Sequence, residues 1–247
     1  MSLADHLREL RYRLIIVVAA VVVAACLAAI WYQPLYQLLM MPYLRAVDML
    51  AESNPQVKAS TVISGVTAPF TLALKVCAVT GLAASSPVWI FQLWRFIAPG
   101  LLGKERKYAL VFLGTAIPLF LAGVLVGYYI LPQGIAVLLA FTPSSVPVTN
   151  LLEVNGFLSL TLQLMVVFGL GFLMPVVVVG LNFLGVVSAN RLAKVRTYVI
   201  FGIFVFGAAA TPSTDPFSML ALSLPMVVLY EAAEIVARVH DRRLNKG

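Results

Sequence analysis

The side chains of this 247-residue chain that could do chemistry are few, and only Cys26, Cys77 and Lys75 among the reactive or charged ones fall inside the first five apolar runs. Its two histidines, His6 and His240, stand near the two ends, and Cys26 and Cys77 have no metal-ligand spacing. No Asp or Glu falls inside the first five apolar runs, and Glu231 and Glu234 close the sixth. A hydrolase or metalloenzyme needs a nucleophile beside a base, or clustered ligands. Neither grouping is present, so the sequence argues against an enzyme and calls for no cofactor. Two carboxylates stand apart, Glu9 between Arg8 and Arg11 and Glu105 between Lys104 and Arg106. Carboxylates in such settings either pair with neighbouring arginines on a solvated surface or receive a guanidinium from elsewhere.

The elements that must position these groups are membrane spans. With 62% hydrophobic and 11% charged residues, and a mean hydropathy of +0.99, a water-soluble domain would expose far too much apolar surface. The apolar runs predict an all-α polytopic protein, a single integral membrane domain over 1–247 with spans at about 14–32, 70–93, 108–131, 156–187, 198–211 and 217–230. The first run stays apolar past Cys26, unlike a cleaved signal, and is a retained span. Pro118 and Pro175 predict kinks in the third and fourth spans. The last two runs are only about 21 Å long as helices against a core of about 30 Å, consistent with a re-entrant hairpin or a thinned bilayer. The outer connections, 33–69 and 132–155, read as packed caps with helical pieces at Leu35–Met41 and Ile135–Phe141. Gly123 and Gly127 have the spacing of close helix packing.

Charge sets the orientation. Of 17 Lys and Arg residues, all but Arg45, Lys58 and Lys75 lie in the two end segments and in the second and fourth connections. Basic connections stay on the cytoplasmic side, so both termini are expected there, in a bacterial inner membrane. The net charge of +7 is spread beside anionic lipid headgroups and does not indicate nucleic acid. Lys75, near the outer end of its span, can snorkel to the headgroups.

Specific motifs stand on the basic segments. The stretch His6-Leu-Arg-Glu-Leu-Arg-Tyr-Arg-Leu14, the pair Ser86-Pro87, and the block Phe91-Gln-Leu-Trp-Arg-Phe-Ile-Ala-Pro-Gly-Leu101 with Lys104-Glu-Arg106 resemble the TatC family, the receptor of the twin-arginine protein translocase. Pro69-Phe70 and Thr211-Pro-Ser-Thr-Asp-Pro-Phe-Ser218 fit the same pattern, and the resemblance covers nearly the whole chain. It implies six transmembrane helices in a cup, short fifth and sixth helices, and cytoplasmic termini. It also implies a function: binding twin-arginine signal peptides and assembling TatA and TatB, or a TatA serving both roles, with self-association, to export folded proteins using the proton motive force. The alternative is a small-solute secondary transporter or channel subunit.

By matching motif positions, Glu9 and Glu105 are the carboxylates expected to receive the two guanidiniums, with Arg11, Phe96, Pro99 and Leu101 shaping the surface beside them. Pro42 and Pro87 read as structural. Asp215, before Pro216, reads as the cap of the last helix. The family usually carries an acid or amide just before the Pro175 position, where this chain has Leu173 and Met174. Gln163 and Thr211 are weak candidates for partner docking, although Gln163 lies about 15 Å away along the helix axis.

Overall fold

The structure, a computed structural model, describes residues 3–53, 58–97, 105–140, 149–183, 185–210 and 216–244. In chain order these form α1 (Leu3–Ile30), α2 (Tyr32–Ser53), β1 (Lys58–Val62), α3 (Ala68–Ala84), α4 (Ser86–Ile97), α5 (Glu105–Ala140), β2 (Thr149–Glu153), α6 (Val154–Phe183), α7 (Ala189–Ala210) and α8 (Pro216–Leu244). Among the described residues five helices are long and apolar enough to cross a bilayer, and α3 with α4, bent by 59°, makes a sixth span. This is the expected six-span helical architecture of a multi-pass membrane protein. One end of the bundle carries the basic segments; at the other, β1 and β2 pair in parallel from Lys58 opposite Thr149 to Val62 opposite Glu153.

That ribbon was not expected, because five-residue segments from two distant connections show no periodicity of their own. The apolar pieces read as separate caps are parts of longer helices: Leu35–Met41 lies in α2, and Ile135–Ala140 continues α5. The 22 residues of α7 and 29 of α8 also exceed their apolar cores. Their helical backbones continue at the basic end through Arg191, Lys194 and Arg196 and through Glu231, Glu234 and Arg238. Both are long and apolar enough to cross a bilayer, so the expected short fifth and sixth helices are not found; only their uncharged stretches are short, and ion pairs take over from apolar contact beyond them.

Lipid offers a backbone amide no alternative partner, so every break in a helix has to be repaired from within. The second span breaks at Ser85, ahead of Pro87, which has no N–H to give. There the indole of Trp89 donates to the carbonyl of Leu82 at 2.9 Å. Pro42, fully buried within α2, likewise supplies no N–H to the carbonyl four residues before it, that of Leu38. The hydroxyl of Tyr128 on α5 donates to that carbonyl at 2.7 Å, tying α2 to the bundle. At the end of α6, Gly185 adopts φ +73°, a conformation that suits glycine. Its N–H reaches Asn182 O and that of Val186 reaches Leu181 O, a Schellman closure that turns the chain into α7.

The core centres on α5 and α6, with α8, α3 and α2 around them. A Cβ on Gly123 would lie 2.5 Å from the Phe168 carbonyl oxygen, so this glycine lets the α5 and α6 backbones touch. At the basic side of the core, Trp94 stacks on Phe112 at 4.3 Å and Trp89 meets Phe120 edge-on at 5.0 Å. Helix α1 is peripheral: Ala28 is its only buried side chain among the described residues.

Because Tyr128 answers a gap that Pro42 creates, the two residues should be energetically coupled. Tyr128→Phe is expected to destabilise the protein by about 1 kcal/mol, and by clearly less in a Pro42→Ala background, where the N–H restored at that position can serve the Leu38 carbonyl. Thermal unfolding of the four variants in detergent measures this cycle; purely additive effects would show that Tyr128 does not serve the proline gap.

Candidate functional site

The basic end is built where α1, α4 and α5 meet. Near the start of α1, Arg13 Nε donates to Glu9 Oε1 at 3.0 Å and its Nη2 bonds the same oxygen, a pair four residues apart on one helix face. The remaining arm of the guanidinium, Nη1, donates to Gln92 Oε1 on α4 at 3.2 Å. The pair is largely sheltered, with side-chain exposures of 13% for Arg13 and 20% for Glu9, so water screens it less than a surface ion pair. One guanidinium therefore fixes the Glu9 carboxylate and joins a peripheral helix to the bundle.

Around Glu9 lies an open cavity of about 450 Å³ lined by Arg8, Glu9, Arg11, Tyr12 and Ile15. Arg11 is exposed and Phe96 half-buried near the end of α4. Arg95 lies over the Phe91 ring, 5.7 Å from its centroid. Glu105 opens α5, which packs against α4. Its backbone thus lies at the same end of the bundle as Glu9, while its side chain falls outside the described residues. Pro99 and Leu101 also fall outside them, as do Thr211 and Asp215.

The other named positions are separate from this cluster. Pro42 belongs to the α2–α5 junction and Pro87 to the bend between α3 and α4. Leu173 is buried among Trp89, Ile90, Phe120 and Val176, an apolar cluster with no place for a free polar group. Gln163 is exposed on another face of α6, beside Lys75, and does not substitute for a polar residue at position 173.

The residues not assigned a role from the sequence are Arg13 and Gln92. The spacing of Glu9 and Arg13 announces their pairing, but the long-range contact with Gln92 has no local signal. A second polar junction was also missed. Glu234, 1% exposed, accepts from Arg196 Nε at 3.0 Å and Nη2 at 2.9 Å, and also pairs with Arg238. Asp241 accepts from Ala189 N–H at 2.8 Å and from Asn182 Nδ2 at 3.0 Å, which caps α7 and holds it beside α6 and α8. Among the described residues no group of acids, histidines or cysteines could hold a metal ion.

Comparison with known proteins agrees over nearly the full chain. The sequence model for "Sec-independent protein translocase protein (TatC)" matches residues 5–225. The TatC protein of Frankia casuarinae is 39% identical over 99% of this chain and 67% of its own length. The chain spans 63% of the TatC of Corynebacterium kroppenstedtii, to which it is 38% identical. That of Aquifex aeolicus is 33% identical over 98% of this chain and 97% of its own length. A crystal structure of a twin arginine translocase receptor, TatC, superposes with a TM-score of 0.76 at 32% identity, covering 95% of this chain and 98% of that one.

If Arg13 is what joins α1 to α4, then Arg13→Ala should loosen the start of α1 while leaving the core intact. Amide exchange over residues 3–15 is expected to accelerate about tenfold or more, matching the loss of a charge-assisted bond worth roughly 1.5–3 kcal/mol. Unchanged exchange would mean that apolar packing alone holds the helix.

Proposed function

The chain belongs to the TatC family of Sec-independent protein translocase proteins, and from that premise we propose that its basic end receives the paired arginines of a twin-arginine signal peptide. The observation that carries this reading is the sheltered Glu9 carboxylate, oriented by Arg13 and opening on a cavity at the end of the bundle where α5 also begins. Two neighbouring guanidiniums need two carboxylates presented together, and Glu9 with Glu105 supplies them. A carboxylate accepts a guanidinium through two parallel hydrogen bonds, a geometry an ammonium cannot copy. That difference accounts for a receptor that reads arginine in preference to lysine.

Glu9 is already engaged by Arg13, so the incoming arginine shares the carboxylate or displaces part of that contact. Arg11 lines the cavity and repels misplaced cations, while Phe96, Pro99 and Leu101 offer apolar contact to the residues that follow the arginines. The clustering of basic residues supports placing this end and both termini in the cytoplasm, within the inner membrane. The whole of 1–247 acts as one integral domain. Its partners are TatA and TatB, or a TatA serving both roles, together with further copies of the chain and membrane lipid.

The short apolar portions of α7 and α8 favour a locally thinned bilayer in which TatA gathers. Thr211 and Asp215, between these helices in sequence, and Gln163 on α6 are the docking candidates. Pro42 and Pro87 shape the helices that carry the site. The proton motive force drives export.

Glu9→Ala and Glu105→Ala should each abolish export of a folded reporter bearing a twin-arginine signal, with membrane insertion unchanged. Loss of one bidentate contact, roughly 1.5–3 kcal/mol, corresponds to about a tenfold or greater fall in signal affinity. Wild-type export by both variants would overturn the assignment.

A further inference from the structure

Lys75 is a cation inside a membrane-spanning helix, away from the basic end of the bundle, and its described partners are neutral. Lys75, half-buried on α3, donates to Ser159 Oγ at 2.7 Å and lies 3.4 Å from Asn155 Oδ1, both on α6. The Ser159 hydroxyl itself donates to Asn155 O at 2.6 Å, which leaves its lone pairs for the ammonium. Among the described residues no carboxylate lies within ion-pair distance of Lys75. Glu153, nearby in sequence to Asn155, instead accepts from Gly156 N–H. An ammonium held by two neutral acceptors retains a third donor and its full charge. In a membrane such a charge calls for an anion.

Both α3 and α6 begin at the ribbon end, and side chains lean towards the N-terminus of their helix, so Lys75 tilts towards that interface. From it descends a groove of about 350 Å³ between the two helices. Its lining changes in order: Lys75 and Ser159 at the top, Gln163 one turn lower, then Val166 and Val167. From Ser159 to Val167 the groove runs about 12 Å along α6. A diacyl phospholipid presents the same order of chemistry, with an anionic phosphate, then ester carbonyls about one turn below, then hydrocarbon. The carboxylate of a partner helix would meet Lys75 but has no use for the amide below it.

We propose that the α3–α6 groove is a binding site for one anionic phospholipid of the ribbon-side leaflet. Its phosphate is received by Lys75, an ester carbonyl by the Gln163 amide, and an acyl chain lies along Val166 and Val167. The site is independent of the signal-peptide surface at the opposite end, and at Gln163 it sets lipid against partner docking as the occupant.

The test is native mass spectrometry of the full chain, purified in detergent and offered equal amounts of phosphatidylglycerol and phosphatidylcholine. The wild type should retain phosphatidylglycerol with about fivefold preference or more. Lys75→Arg should keep that preference and Lys75→Met should lose it. Val166→Trp, which fills the groove, should retain less of both lipids. Equal retention of the two lipids by the wild type, or an undiminished preference in Lys75→Met, would overturn the proposal. So would a photocrosslinker at position 78 that captures a protein helix in native membranes in place of lipid.

Discussion

Inside hydrocarbon a peptide group has no water to fall back on, and this one scarcity governs the fold. It explains why the spans are helices, and also why their interruptions come paired with side chains from elsewhere. Trp89 attends the bend ahead of Pro87, and Tyr128 attends the gap left by Pro42. The first bond braces the bend between α3 and α4, and the second ties α2 to α5. Pro42 therefore acts as an attachment point as well as a break, since the carbonyl it frees, that of Leu38, becomes an acceptor for Tyr128.

The same scarcity drives ionic groups to the ends of the bundle, where they do mechanical work. Helix α1 buries little of its surface, and the Arg13 guanidinium spans from Glu9 to Gln92 to hold it. Helix α7 meets the bundle mainly through α8, and the Arg196–Glu234–Arg238 cluster fastens those two at their polar extensions. Sheltered ionic pairs of this kind add positional definition more dependably than net stability. For a receptor that is the useful property. A carboxylate fixed in advance loses little freedom when it receives a guanidinium, so more of the interaction is available as affinity. A helix-anchoring contact and the proposed recognition thus meet in one acid, Glu9.

Much of this was legible in the residues. Long apolar runs with basic residues in alternate connections are a redundant signal, and they pointed to six spans. The TatC resemblance rested on a dense block from Phe91 to Arg106, and the solved TatC receptor structure agrees with it. What escaped the sequence was of another kind. The β1–β2 ribbon joins five-residue segments too short to carry a period. The break at Ser85 was not read as one because Ser85-Ser86-Pro87 interrupts the apolar run too briefly to divide it. The extensions of α7 and α8 were missed because polar residues end an apolar run without ending a helix. Glu234 shows the limit most clearly: it reads as a charge at the margin of a span, yet it is buried under two arginines.

The central claim is that Glu9 meets an arginine of the signal directly. A double-mutant cycle tests it, with Glu9→Gln in the purified receptor set against replacement of each signal arginine by lysine, and peptide affinity as the readout. The account predicts a coupling of about 1–3 kcal/mol between Glu9 and one of the two arginines. Effects that simply add, with no coupling to either arginine, would contradict it.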